Sequence, residues 1–577
     1  MKTLSLTTSL VLLAEAISAT EPREVQWHGT PIGPDGPWNA VKVRIGSQQL
    51  PVALFPGRSW LTWVSTTEYC TFSRKYDVNN CPGGAYHKKK PTQEVSSIRY
   101  HSSPQDLMKG VQIKGDDAIM FQDDFEISPG SGLVIPNVSM SLLESSQVMV
   151  YPGESQYPIF AGCLSLGAQE ATQNFDLVGD LLGQSLSSNI IPWYLSKNNF
   201  TASSSFGLHL GSAVDGFNVS GSLLFGGYDQ SRVVGKVLEM DGNSFSSDVR
   251  LQDISLGVIQ GKSPFGFDAK NGLLAGRNTT LNNGKGIFVQ LDPCSPYLTL
   301  PEATCEAIAC HLPVSYDKPL GLYLWNTSDS MYADIMASAS VLSFTLGSSS
   351  DSLTINVPLQ HLNLKLEPPI KETPTPYLPC STGGLGSYVL GRAFLQDAFL
   401  GGSWEQQRWW LAQAPGPGSR APSKHVDILP QGRHINSGVS NWASTWDGVW
   451  TELARRSRSS LTSSSGNPSG DNVSLTVGDI VGGVVGGGCG LFVLMMTFII
   501  IWKRHGHQQQ TSRTTMVQKS RPGQTPAQMA RLVEADGRAA RYTWSSLGHL
   551  RPMMTPRNGT QTAQIHELDH GIPKIHR

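Results

Sequence analysis

Residues Leu54–Trp63 read LFPGRSWLTW, and residues Leu291–Leu300 read LDPCSPYLTL. Displaced by 237 positions, they coincide at Leu54 and Leu291, Pro56 and Pro293, Leu61 and Leu298, and Thr62 and Thr299, with Trp60 opposite Tyr297. At the second position Phe55 faces Asp292. The two stretches read as copies of one element in a 577-residue chain, which is long enough for a large core of two lobes. The substitution at the second position predicts that the two copies no longer do the same chemistry.

Around these stretches, from about Gln26 to Pro415, the sequence consists of short apolar or alternating runs such as AVKVRIG, QLPVALF, SLLFGGY, LTINVPL and HLNLKLE, separated by Gly, Ser, Asn and Pro. Such runs are strand signals with turn punctuation. Charged residues make up only 15% of the chain, which suits a mostly β, turn-rich protein better than a helical bundle. Two helical stretches are expected, in PEATCEAIACHL and in GRAFLQDAFL. No glycine loop precedes a helix in the phosphate-binding manner, and no basic–aromatic interleaving suggests nucleic acid. No cysteine or histidine spacing suits zinc, so no cofactor is expected.

The ends of the chain carry targeting signals. Residues 1–19 have a Lys2 start, an apolar middle and a small-residue exit, the pattern of a signal peptide. Residues 479–502 contain the uncharged run Ile480–Trp502, long enough for a bilayer core of about 30 Å. Basic KRHGH follows at once, which predicts a cytoplasmic C-terminus. From Lys503 on there are 12 basic and 4 acidic residues, leaving 32 basic against 41 acidic before it. That basic tail, 503–577, has no periodicity and is expected to be disordered, with an anionic inner leaflet as one surface it could follow. Gly482, Gly486 and Gly490 could bring two spans together as a dimer. Sequons at Asn137, Asn199, Asn218, Asn278, Asn326 and Asn472 agree with a secretory route. The expected location is the plasma membrane or another secretory-pathway membrane, with the ectodomain extracellular or luminal.

Between ectodomain and span, residues 416–478 are rich in Gly, Pro, Ser and Arg and are expected to form a flexible linker. Within it Trp442, Trp446 and Trp450 recur every four residues, the spacing of one face of a short helix. That face suits packing on the base of the ectodomain or lying on the membrane surface.

Residues 35–414 resemble the pepsin-like aspartic peptidases, in particular the fungal members. GSLLFGGYDQSRVVG is similar to the strand pair that closes that family's first lobe. FVQLDPCSPYLTLP resembles the second active triplet and its sequel, and VALFPGRSWLTWV stands where the first would lie. FAGCLSLG resembles the motif Asp-Gly-Ile-Leu-Gly-Leu-Gly, with Ala161 in place of its Asp, and YVLGRAFLQDAFLGG resembles the last helix. The resemblance implies a two-lobed ectodomain, residues 20–415, with lobes of about 20–235 and 236–415. It implies disulfides Cys305–Cys380 and Cys70–Cys81. Tyr100 is the flap-tyrosine candidate by position. Seven cysteines precede the span, so at least one is left over, and Cys489 lies within the span.

The family's chemistry needs two carboxyls that share one proton, one acting as base and the other as acid. Here Asp292 is the remaining position of that dyad, and its partner is lost at Phe55. The triplets are Phe55-Pro56-Gly57 and Asp292-Pro293-Cys294, so the hydroxyls of the second positions are gone too. On this reading, restoring a pair would take Phe55→Asp, Pro56→Thr, Pro293→Thr and Cys294→Gly together. Asp292 is either a relic in the cleft floor or an ordinary turn aspartate. The expected function is a membrane-anchored, catalytically inactive aspartic-peptidase-like protein whose cleft binds extended polypeptide at the cell surface. An active membrane-bound endopeptidase and a surface structural or adhesion protein are the alternatives.

Overall fold

The computed structural model describes residues 20–453 except 59, 74–80, 89–96, 103–106, 144–145, 169, 177–184, 243–247, 276–285, 383–386 and 433. The signal peptide, the span with Gly482, Gly486, Gly490 and Cys489, the basic tail, and the sequons at Asn278 and Asn472 lie outside the described residues. Among the described residues no helix is long and apolar enough to cross a membrane.

The repeated stretches become the same local structure twice. In the first half, strand Val52–Gly57 runs parallel to Gly162–Ser165, which pairs antiparallel with Thr62–Ser65. In the second half, Ile287–Leu291 runs parallel to Val389–Leu390, which pairs antiparallel with Leu298–Thr299. In each copy the chain leaves one strand and returns on the far side of a strand inserted from later in the sequence; Phe55-Pro56-Gly57 ends the first such strand, whereas Asp292-Pro293-Cys294 follows the second and lies in the turn. The triplets are thereby held on both sides by backbone ladders. All residues of Val52–Gly57 and Thr62–Ser65 are buried, which explains their continuous apolar reading rather than an alternating one.

Each triad is the middle of a larger sheet. The first-lobe sheet runs, by strand, Val41–Ile45, Val52–Gly57, Gly162–Ser165, Thr62–Ser65, Val134–Leu143, Ala118–Glu126 and Ser97–Ser102. The main path of the second-lobe sheet runs Ser352–Pro358, Ser340–Gly347, Val249–Val258, Ile287–Leu291, Val389–Leu390, Leu298–Thr299 and Cys380–Ser381. Val41–Ile45 shows the half-buried alternation expected of VKVRI.

A six-stranded sheet joins the halves. Ser205–His209 from the first half pairs with Ala398–Ser403 from the second, and Val234–Asp241 pairs with Arg408–Gln413. The boundary near residue 235 is therefore not a clean cut, because the last strands of the chain's second half return to the first. One contiguous apolar core runs through both lobes.

Three expectations need correction. The stretch GRAFLQDAFL is helical only over Arg392–Leu395 and then becomes strand Ala398–Ser403, where pairing with Ser205–His209 overrides helix propensity. The tryptophan stretch forms a single 3-10 turn, Ala443–Trp446, rather than a short helix carrying all three indoles; Asp447, at φ −57° and ψ 128°, ends it. Its indoles nevertheless gather as the spacing suggested. Trp446 stacks on Trp450 with centroids 4.7 Å apart, and Trp442 meets both edge-on.

The third correction concerns the start of the linker. Residues 416–453 are packed rather than loose: His425–Asp427 pairs with Gly227–Asp229, and Val439 bridges to Val234. Trp446 is 0% exposed, in a cluster with Val234, Ala339 and Val341. Composition alone suggested a flexible segment; the apolar side chains set between its glycines and serines pack against Val234, Ala339 and Val341.

Candidate functional site

Both triplets lie at one place, where the lobes meet. Asp292 is 2% exposed. Its Oδ1 accepts the Arg58 N–H at 3.2 Å from the facing loop and the Cys294 N–H at 3.0 Å. Its Oδ2 is 2.8 Å from Ser295 Oγ. Asp292 does head a turn, since its carbonyl accepts the Ser295 N–H at 3.1 Å, but it is not a surface residue: it is an interior carboxylate that also reaches the backbone of the facing triplet loop.

A disulfide makes the same connection covalently. Cys163, on the strand beside Phe55, pairs with Cys294 of the second triplet. Gly57 lies between them, and a Cβ there would be 3.1 Å from the Cβ atoms of both cysteines. A side chain at this position would crowd the bridge, which would have to give by a few tenths of an ångström. The two disulfides implied by resemblance, Cys70–Cys81 and Cys305–Cys380, are present as well. Cys310 is exposed and lies outside the three bridges.

In the first triplet, Phe55 is 3% exposed. The guanidinium of Arg392 lies over its ring, with Cζ 3.8 Å from the centroid, and also faces Trp38 at 5.0 Å. Arg392 is itself 4% exposed, and its Nη1 donates to the Cys294 carbonyl. Its charge is balanced by buried Asp35, which accepts the Trp38 Nε1–H at 2.9 Å. Burial pushes the Asp35 carboxyl up, and the Arg392 charge opposes that rise. Burial likewise pushes the Arg392 guanidinium down, with Asp35 as the largest opposing influence. The Tyr151 and Tyr297 hydroxyls, 2.6 Å apart, extend the same network, and burial raises both.

A cavity of about 20 Å³ remains between Phe55, Asp35, Arg392, Met108 and Ala161, room for one water and no more. Arg392 Nε is buried without a hydrogen-bond partner. Ala161, the residue standing in for an acid in FAGCLSLG, is part of this wall. Tyr100 falls on strand Ser97–Ser102, with its side chain outside the described residues. Among the described residues no group of His, Cys, Asp and Glu could hold a metal ion.

No protein-family profile matches the chain. It is 24% identical over 316 residues to the aspartic proteinase sxa1 of Schizosaccharomyces pombe, covering 54% of this chain and 53% of that protein. That relative is an aspartic proteinase, the family whose motifs the sequence resembles. It spans about half the length of that curated relative. The crystal structure of the aspartic proteinase from Irpex lacteus aligns over 68% of this pepsin-like chain and 97% of its own, at 15% identity and a TM-score of 0.41.

Sequence reasoning found Phe55 and Asp292 but missed what surrounds them. Ser295 follows the second triplet directly and supplies a hydroxyl where the triplet itself has none. Cys163, Cys294 and Cys310 were the luminal cysteines left unassigned, and the sequence carried no signal that Cys163 of FAGCLSLG would pair with Cys294 of the second triplet. Arg392 carried no such signal, because nothing in GRAFLQD reveals that its guanidinium reaches Phe55.

Proposed function

We propose that this chain is a membrane-anchored pepsin-like protein that lacks peptidase chemistry and whose cleft holds extended polypeptide at the cell surface. One observation carries the reading: the position equivalent to Asp292 in the first triplet is a buried phenyl ring under a buried guanidinium. A phenyl ring neither accepts nor donates a proton, so Asp292 has no partner to share one with. Asp292 is moreover engaged by two backbone N–H groups and a hydroxyl, and shielded from solvent. A two-lobed β frame with backbone-lined edges can still bind an extended chain once the chemistry is gone.

The ectodomain, residues 20–453, should show no cleavage of denatured protein between about pH 3 and pH 6, the range in which paired carboxyls titrate. Pepstatin-sensitive cleavage would sink the reading. The folded state must be checked at each pH. His209 is fully buried, and burial pushes its imidazole down to about 3. The unfolded chain takes up that proton below about pH 6.5. Stability is therefore complete above that pH and falls as pH drops from about 6.5 toward 3.

The anchoring part of the proposal rests on Ile480–Trp502 and the basic residues after it. Of the sequons, Asn137, Asn199, Asn218 and Asn326 are exposed. Glycosidase should lower the apparent mass of the mature protein, and a tag placed after Arg577 should survive protease added to intact cells. Loss of the tag with an intact, unshifted ectodomain would reverse the orientation.

A further inference from the structure

A piece of first-lobe chain lies across the floor where the lobes meet. The Leu107 carbonyl accepts the Trp63 Nε1–H at 2.9 Å. The next two contacts are to the second lobe. The Ser295 hydroxyl is 2.6 Å from the Lys109 carbonyl, and Thr299 Oγ1 donates to the Gly110 carbonyl at 3.0 Å. Gly110 has φ 73°, and a Cβ there would come within 2.8 Å of Thr299 Oγ1 and Val389 Cγ2. Leu107 is 2% and Met108 6% exposed, with Met108 lining the small cavity beside Phe55.

The segment is a turn rather than a strand, yet its backbone carbonyls accept from side chains where the lobes meet, the kind of main-chain contact a bound polypeptide would make there. Here the chain makes such contacts to itself. Ser295 has one hydroxyl proton to share between Lys109 O and Asp292 Oδ2, so the contact also ties the segment to the remaining acid.

We propose that Leu107–Gly110 is a built-in occupant of the cleft floor, a strap that an extended polypeptide displaces on binding. The proposal rests on the reading of the cleft as a polypeptide site. It places the regulation of that site in the two hydroxyls of Ser295 and Thr299 and in the absence of a side chain at Gly110.

The test is the reactivity of a thiol placed by Met108→Cys in the 20–453 ectodomain, followed by maleimide labelling and peptide mapping. With the strap down, labelling at position 108 should be about 100-fold slower than in urea, as expected for an interior position that reacts only on local opening. Adding Ser295→Ala and Thr299→Val should raise the rate about tenfold, the effect of two lost hydrogen bonds. Gly110→Val should do the same through steric pressure, and it leaves both hydroxyls in place should the double change impair folding. Excess carboxymethylated casein, an extended polypeptide, should also raise the rate. Labelling as fast in the folded protein as in urea would overturn the strap. So would rates unmoved by these substitutions or by casein. Acid-pH cleavage would instead overturn the functional reading and leave the labelling results standing.

Discussion

The Phe55→Asp variant of residues 20–453 is expected to show no peptidase activity. The new carboxylate would lie under the Arg392 guanidinium, now 3.8 Å from the ring centroid it replaces. An opposite charge that close holds a carboxyl ionised. It could not share a proton with Asp292, and it is general acid–base assistance, about 10²–10⁴-fold in rate, that such sharing provides. Asp292 would stay fixed by Arg58, Cys294 and Ser295. Removing a buried ring costs about 3–5 kcal/mol in comparable core truncations, offset in part by the new ion pair. The assay is cleavage of denatured protein at acid pH by parent and variant side by side. Pepstatin-sensitive cleavage by the single variant would show that Arg392 does not capture the acid.

The fuller restoration suggested by the triplets, with Pro56→Thr, Pro293→Thr and Cys294→Gly added, should do no better and fold less well. Cys294→Gly removes the partner of Cys163 and opens a bridge spanning 131 residues of chain. Losing a disulfide of this kind costs about 2–5 kcal/mol, and it also unfastens the two triplet loops from each other. Thermal unfolding should rank the parent above Phe55→Asp, and that above the fourfold variant. A fourfold variant as stable as the single one would show that the bridge contributes nothing to the fold.

An ectodomain ending at residue 415 should be much less stable than one ending at residue 453. The shorter chain uncovers Val234, Ala339 and Val341 and removes the indoles of Trp442, Trp446 and Trp450. Trp446 also lies 5.1 Å, centroid to centroid, from the ring of buried His361, whose Nδ1 is 2.9 Å from both carboxylate oxygens of Asp397. Truncation would thus open a buried polar pair to water as well as an apolar face. Trp446→Ala alone should cost about 3–5 kcal/mol, the usual range for a buried tryptophan. Melting temperature and secreted yield of the two lengths give the measurement. Equal values would return residues 416–453 to the role of a linker.

The sequence by itself determined the two-lobed β frame. The offset of 237 places equivalent strands on equivalent positions, and strand periodicity and turn residues are local signals that survive reading one residue at a time. It also identified Phe55 as the residue equivalent to Asp292, since that follows from the repeat alone. What only the tertiary structure decided are the relations between distant residues. Arg392 over Phe55, Cys163 bonded to Cys294, and Leu107–Gly110 on the floor beside Ser295 join segments separated by between 131 and 337 positions. No local propensity encodes such pairings, because burial and electrostatic partnership arise only once the sheets have brought the chain's halves together. The same reason misled the reading of residues 416–453: a composition that cannot build a core of its own can still complete one that already exists.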